Sequence, residues 1–276
     1  MNLFRYGPSK SFVRAAVSLT WPLMTWARKL SDTPGFRQVI NPFFAYPLNE
    51  VTTIPINVEI AAPDSVVANR GLAEVKAIGA RNSATRSADQ SVAAVFWNSG
   101  EDTDGLPFFQ RIADARKLSS LDFTRMMALS DMADFDSRIV YVGIKDKYRY
   151  WRPVNAIRGK FADASVADAA WESLIAAPPN PDYPSGGGVG GGFFIALLTT
   201  FDPDGKVPLS WKNTAIGVTR TWPNAQAMAA ELAASRVWGG IHFRNSVDTG
   251  YRIGKRVAEE VFSTQLRPLP GKSRWM

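Results

Sequence analysis

Residues 183–201 read YPSGGGVGGGFFIALLTTF. Six glycines fall within the seven positions from Gly186 to Gly192, and an apolar run follows at once. Three readings compete: a flexible spacer, a nucleotide-phosphate loop, or the entrance of a buried helix. G-x-G-x-x-G occurs here trivially, but the dinucleotide fingerprint follows a strand, and the preceding residues are APPNPDYPS. No G-x-x-x-x-G-K-[ST] is present. A spacer does not lead directly into FFIALLTTF, which must be buried. Each Gly costs a helix about 1 kcal/mol relative to Ala, so six of them call for close backbone approach. A loop-to-helix junction carrying Ser185 and then Gly186 is also a ready anion site, because free N–H groups and the positive helix end favour negative charge.

The rest of the chain says which anion chemistry is available. Its 276 residues can bury a sizeable core, and 46% hydrophobic with 21% charged residues is ordinary for a water-soluble globular protein. There are 32 Lys plus Arg against 25 Asp plus Glu, a formal charge of +7. The basic residues are scattered without a dense run, which argues against a nucleic-acid arm and leaves room for a local anion site. The absence of Cys excludes disulfides, thiol catalysis and Cys-ligated zinc or iron–sulfur centres. The single histidine, His242, excludes multi-imidazole metal sites. No apolar run reaches the roughly 18–20 residues that span a bilayer. Near the N-terminus, Arg5, Lys10 and Arg14 precede AAVSLTWPLMTWA. This reads either as a signal peptide's basic and apolar regions or as an amphipathic helix interrupted at Pro22, so cytoplasmic and periplasmic locations both stay open.

Residues 1–63 read as an N-terminal helix followed by an extended, Pro- and aromatic-rich wrapping segment with a short strand at Val51–Ile60. Residues 64–276 read as one helical-bundle catalytic domain. Asp64 is the expected cap of SVVANRGLAEVKAIGA, and Thr85 or Ser87 of SADQSVAAVFW. Ser119 with Asp122 has the spacing of a capping box before a long apolar-periodic helix reaching about Ile144. Pro153 bounds the next helix, and SVADAAWESLIAA (Ser165–Ala177) predicts another. Residues 178–184 form a loop. AQAMAAELAASRVW follows Pro223 and stops at Gly239-Gly240, and a last amphipathic helix runs through Ile253, Val257 and Val261. Strong strand signals are absent, so the expected class is all-α.

Companions for the glycine junction come from this pattern. Lys145 and Arg152-Pro153 are separated by six residues, and Ser235-Arg236 precede Gly240 and His242. A straight helix would not put Arg236 and His242 on one face, but the Gly239-Gly240 break would. Three cations, a hydroxyl, free amides and one imidazole suit a tetrahedral oxyanion. Singly, each of these residues reads as well as a solvated charge or an ordinary satisfied histidine. Asp131, Asp134 and Asp136 read as structural or as partners of a site Arg. Trp151, Trp238 and Phe243 read as core or as pocket lining.

K-x(6)-R-P at Lys145–Pro153, P-S-G at Pro184–Gly186 and S-R-x(3)-G-x-H at Ser235–His242 resemble the three-part signature of vanadium-dependent haloperoxidases and type 2 phosphatidic acid phosphatases. YWRPVNAIR, EVKAIGARNSATRSADQ and GIHFRNS are more similar to bacterial haloperoxidases. The resemblance covers roughly residues 70–262. It implies a helical bundle holding vanadate, or phosphate, in its core. Lys145, Arg152, Arg236, Ser185 Oγ and the Gly186 N–H would hold the non-reacting oxygens. His242 would ligate vanadium, or act as the nucleophile of a phosphatase. Peroxide and halide would be the small-molecule substrates in the first case and a phosphate ester in the second; a homo-oligomer is compatible with either.

Four departures qualify the resemblance. Gly187 stands where the family's P-S-G-H has its acid–base His, and no other imidazole can replace it. The Asp expected four residues after His242 is Ser246, with Asp248 two further on. The letters of the Lys motif recur at Lys147-Tyr148, but only Lys145 keeps the gap to Arg152. Relatives usually carry additional helices ahead of this region. Three functions follow: a haloperoxidase-like enzyme with an altered acid–base position, an acid phosphatase, or a non-catalytic oxyanion-binding relative.

Overall fold

The computed structural model of the chain describes residues 66–99, 105–159 and 166–267. The expected N-terminal helix and wrapping segment, the Asp64 cap and the boundary after residue 63 lie outside these residues.

Eight helices and one β-hairpin make up the described fold. Helix α1 spans Val66–Gly79 and α2 Ala88–Asn98. The α2 start is a capping box: Ser87 Oγ accepts from Gln90 N–H, and Gln90 Oε1 accepts from Ser87 N–H. Helix α3 (Gly105–Arg116) buries Phe108 and Ile112, four residues apart on one face. Helix α4 (Ser120–Tyr148) is capped by Ser119, whose Oγ accepts from Asp122 N–H at 3.1 Å. It ends at Arg149 in the left-handed region (φ 48°), and that reversal leads into Arg152 and the short α5 (Pro153–Arg158).

The glycine stretch is helical. Helix α6 runs from Gly186 to Phe201, so five of the six glycines lie beyond its first residue. It lies along α8 (Arg244–Thr264) and against α7 (Ala225–Trp238), and α4 packs on both α8 and α6. The glycines answer to that packing. A Cβ on Gly192 would stand 1.9 Å from Tyr251 O, and one on Gly254 of α8 would stand 2.0 Å from Val189 O. Backbone meets backbone, and the contact offsets the roughly 1 kcal/mol each glycine costs the helix.

Strands β1 (Leu209–Asn213) and β2 (Val218–Trp222) pair antiparallel, with Leu209 opposite Trp222. This hairpin was not expected from the sequence. It covers an aromatic cluster in which Trp211 stacks on Phe108 at 4.9 Å and meets Phe194 edge-on at 5.4 Å. Arg220 ties β2 to α2 and α7 by pairing with Asp89 and Glu231. Met126 is fully buried in the same core, and Met127 packs at its border.

The helix expected over Ser165–Ala177 does not form in its described part, residues 166–177. Its N–H groups go elsewhere: Leu174 N–H donates to Gly79 O and Ile175 N–H to Gly239 O, both at 3.0 Å. Trp171 is buried, with Nε1 donating to Lys76 O at 3.0 Å. The segment seals the ends of α1 and α7 in extended form, and those tertiary partners outweigh its helical propensity. It joins a second, smaller core with Leu72, Val75, Ile157 and Phe243, against which Trp151 also packs.

Candidate oxyanion site

The turn between α4 and α5 places Lys145 and Arg152 side by side under the 180–182 loop. Lys145 is 6% exposed and Arg152 4%. Lys145 Nζ donates to Pro181 O and, at 3.1 Å, to Asp182 O. Arg152 donates from Nε to Asn180 O (2.9 Å), from Nη2 to Asn180 Oδ1 (2.7 Å) and from Nη1 to Ile241 O (2.7 Å).

Helix α7 ends at Gly239, and Gly240 (φ +74°) turns the chain so that His242 comes back beside Arg152. A residue with a side chain is strained at that φ. Its ring is buried, with Nε2 3.0 Å from Arg152 Nη1 and Nδ1 2.8 Å from Asp182 Oδ1. Asp182 itself is fully buried.

Ser185 Oγ caps α6 by accepting from Gly188 N–H at 3.2 Å. This uses a lone pair and leaves the O–H able to donate. The N–H groups of Gly186 and Gly187 open the helix and have no partner within it. Arg236, the last cation of α7, reaches over this entrance. A Cβ on Gly187 would stand 1.9 Å from its Nε, so the guanidinium stem occupies the space a side chain at 187 would need. Arg236 Nη1 donates to Asn98 Oδ1 of α2, while its Nε is buried with no hydrogen-bond partner.

The electrostatics are those of a cation cluster short of negative charge. Desolvation first, and then neighbouring Arg152, push Lys145 down to about 7. The same two causes lower Arg236 to about 10. Burial also lowers Arg152, with Asp182 opposing. Burial depresses His242 to about 4 despite Asp182, and Arg152 and Lys145 add to the depression, so the ring is neutral near pH 7. Asp182 is the carboxylate that opposes the lowering of Lys145, Arg152 and His242, and desolvation and Arg152 alone act on Arg236. No carboxylate forms an ion pair with Lys145, Arg152 or Arg236 among the described residues.

All seven residues singled out from the sequence, Lys145, Arg152, Ser185, Gly186, Gly187, Arg236 and His242, converge here. Lys147 is exposed and points to Tyr148 instead. Asp248 is exposed on α8. Ser246 Oγ lies 3.4 Å from His242 Nδ1, farther than Asp182. Asp131 and Asp136 form no ion pair with a site arginine among the described residues; Asp134 pairs with Arg138. The residue that sequence reading missed is Asp182, two positions before the P-S-G signature.

Inside a helical bundle, a glycine-rich helix entrance thus meets a Lys-Arg and an Arg-His pair. Residues 125–271, just over half of the chain, match the family of the VCPO second helical-bundle domain. The chain belongs to this family, within the vanadium haloperoxidase superfamily. Among solved structures, it resembles the first bacterial vanadium-dependent iodoperoxidase, with TM-score 0.62 and 22% identity over 78% of this chain and 53% of that one. An apo-type bacterial vanadium-dependent chloroperoxidase gives TM-score 0.56 and 18% identity, covering 72% of this chain and 49% of that one. The holo-type structure gives 0.53 and 17%, covering 70% and 47%. At these identities the likeness concerns the fold, and the chain spans about half the length of these structures. No curated protein matches the chain. No described helix is long and apolar enough to cross a membrane.

Proposed function

We propose that the site binds a tetrahedral oxyanion, vanadate first, and that the protein is a vanadium-dependent haloperoxidase-like enzyme that oxidises halide with hydrogen peroxide. One observation carries this reading: Lys145, Arg152 and Arg236 are gathered around a neutral imidazole and an open helix N-terminus, with a single carboxylate to offset them. An uncompensated buried cation cluster is unfavourable unless an anion completes it. The residues fit vanadate: Arg236 Nε is a buried donor without an acceptor, and Gly186 and Gly187 present first-turn amides. His242 Nε2 is an acceptor, the form a metal ligand needs.

Lys145 and Arg152 would neutralise the anion's charge, with the Arg fork fixing its orientation. Ser185 O–H and the two glycine amides would donate to its oxygens at the α6 entrance. Arg236 would turn its free Nε to the same anion. Ligation at Nε2 requires the Arg152 Nη1 hydrogen bond to open, which couples binding to movement of Arg152. Bound vanadate would supply the Lewis acid that polarises peroxide. Phosphate carries the same shape and would compete.

A second reading rests on Gly187. The Arg236 stem fills the place of a side chain there, so no imidazole can stand beside the anion as acid or base. This favours oxyanion binding without turnover, or slow turnover. Peroxide-dependent halogenation of a dye by the vanadate-loaded protein tests the enzyme reading, with Arg236→Ala expected to abolish it. Binding without halogenation favours the second reading. Vanadate-inhibited hydrolysis of a chromogenic phosphate ester, in place of halogenation, would make it an acid phosphatase.

A further inference from the structure

We infer that Asp182 is the residue that positions His242, taking over from the carboxylate missing at position 246. The inference deepens the oxyanion-site reading but stands on its own geometry. A guanidinium has donors and no acceptor, so Arg152 Nη1 at 3.0 Å makes His242 Nε2 the acceptor. The ring proton of a neutral imidazole is then on Nδ1. Two groups lie near Nδ1: Asp182 Oδ1 at 2.8 Å and Ser246 Oγ at 3.4 Å. Ser246 commits its hydroxyl proton to Asp182 O at 2.9 Å, so it is at most a distant acceptor. Asp182 is the nearer acceptor and carries the charge.

The loop holds that carboxylate firmly. Asp182 N–H donates to Tyr150 O at 2.9 Å, and its carbonyl accepts from Lys145 Nζ and Ser246 Oγ. Ser246 O in turn accepts from Ser185 N–H at 2.9 Å. The Asp182 backbone therefore ties the Lys motif to Ser246, and through Ser246 to the P-S-G entrance, and leaves its side chain to the ring. Neither carboxylate oxygen has another hydrogen-bond donor, and the side chain is fully buried. At 2.8 Å the carboxylate meets the Nδ1 edge of the ring as a close charge contact, off the line of an ideal hydrogen bond.

Because His242 is the only histidine, nitrogen-15 histidine labelling of the full chain gives one imidazole. The expected spectrum, recorded without any anion, shows the proton on Nδ1 and an unprotonated Nε2 that accepts from Arg152. Asp182→Asn, which keeps size and loses charge, should move the Nδ1 proton upfield. Asp182→Ala should let the Nε2–H form appear, and Ser246→Ala should do neither. Orthovanadate affinity should fall about 10–100-fold in Asp182→Ala, the usual loss when a partner behind a metal ligand is removed. An unmoved Nδ1 proton in Asp182→Asn, or a tautomer that follows Ser246→Ala instead, overturns the assignment. The two readings separate cleanly. Vanadate binding with an Asp182-independent tautomer removes only the positioning role. An Asp182-dependent tautomer without vanadate binding removes only the oxyanion site.

Discussion

Gly187→Ala is the sharpest test of how α6 meets α7. A methyl there would lie 1.9 Å from Arg236 Nε, 2.4 Å from Cζ and 2.6 Å from Cδ. Ordinary contacts are about 3.5–4.0 Å, so the stem must retreat by about 1.5 Å. Its Nε is already buried, and its Nη1 is anchored to Asn98. Losing a hydrogen bond to a charged group costs about 1.5–3 kcal/mol, and overpacking typically costs about 1–3. The better helix propensity of Ala returns about 1 kcal/mol. The net expectation is a loss of about 1.5–5 kcal/mol, read as a fall of roughly 3–20 °C in Tm at about 2–4 °C per kcal/mol. In an Arg236→Ala background the obstacle is gone, and the same substitution should be neutral or stabilising by up to about 1 kcal/mol. A double-mutant cycle by thermal and chemical denaturation reads this coupling. Equal effects in the two backgrounds would refute the packing argument. Gly187→His, which would recreate P-S-G-H, meets the same stem and should not raise activity.

Gly192→Ala and Gly254→Ala place a methyl against backbone, at 1.9 Å from Tyr251 O and 2.0 Å from Val189 O, and should each destabilise by at least about 3 kcal/mol. Gly190→Ala, whose methyl would meet Leu232 Cδ2 at 3.6 Å, should be neutral or slightly stabilising; similar denaturation midpoints for all three would contradict the close approach of α6 and α8. Burial raises Asp136 from 3.8 to about 7, so its folded state holds a proton that the unfolded chain has lost. Its contribution is therefore full below pH 3.8 and falls away as pH rises through about 7. Asp136→Asn cannot ionise, so its stability relative to the parent should grow between about pH 4 and 7, by as much as roughly 4 kcal/mol, and level off above that. A pH-independent difference would show that this carboxylate is not buried as a neutral acid.

Much of the site was legible because its residues come in local motifs. The spacing of Lys145 and Arg152, the Ser185 cap and the Gly239-Gly240 break depend on short-range geometry, and each is where the sequence put it. The Ser87 and Ser119 caps were legible for the same reason. Asp182 was not, because its claim on His242 spans sixty positions of chain and a loop conformation. A helix-like pattern over residues 166–177 misled because the partners of its N–H groups, Gly79 and Gly239, lie far away in sequence. The glycines inside α6 read as a junction because the α8 backbone that requires them is also distant. The hairpin did carry a signal: Trp211, Val218, Thr219, Thr221 and Trp222 favour strands, and Gly217 (φ +66°) lies in the turn. Helix α3 carried one too, in the four-residue spacing of Phe108 and Ile112.

The central claim is that Lys145, Arg152, Arg236, Ser185, Gly186 and His242 form one oxyanion site. Calorimetric titration of the full chain with orthovanadate tests it most directly, with His242→Ala alongside. The account predicts saturable binding at one site per chain, competed by phosphate and lost in His242→Ala. No heat and no rise in Tm with the parent protein, or equal binding by His242→Ala, would contradict it.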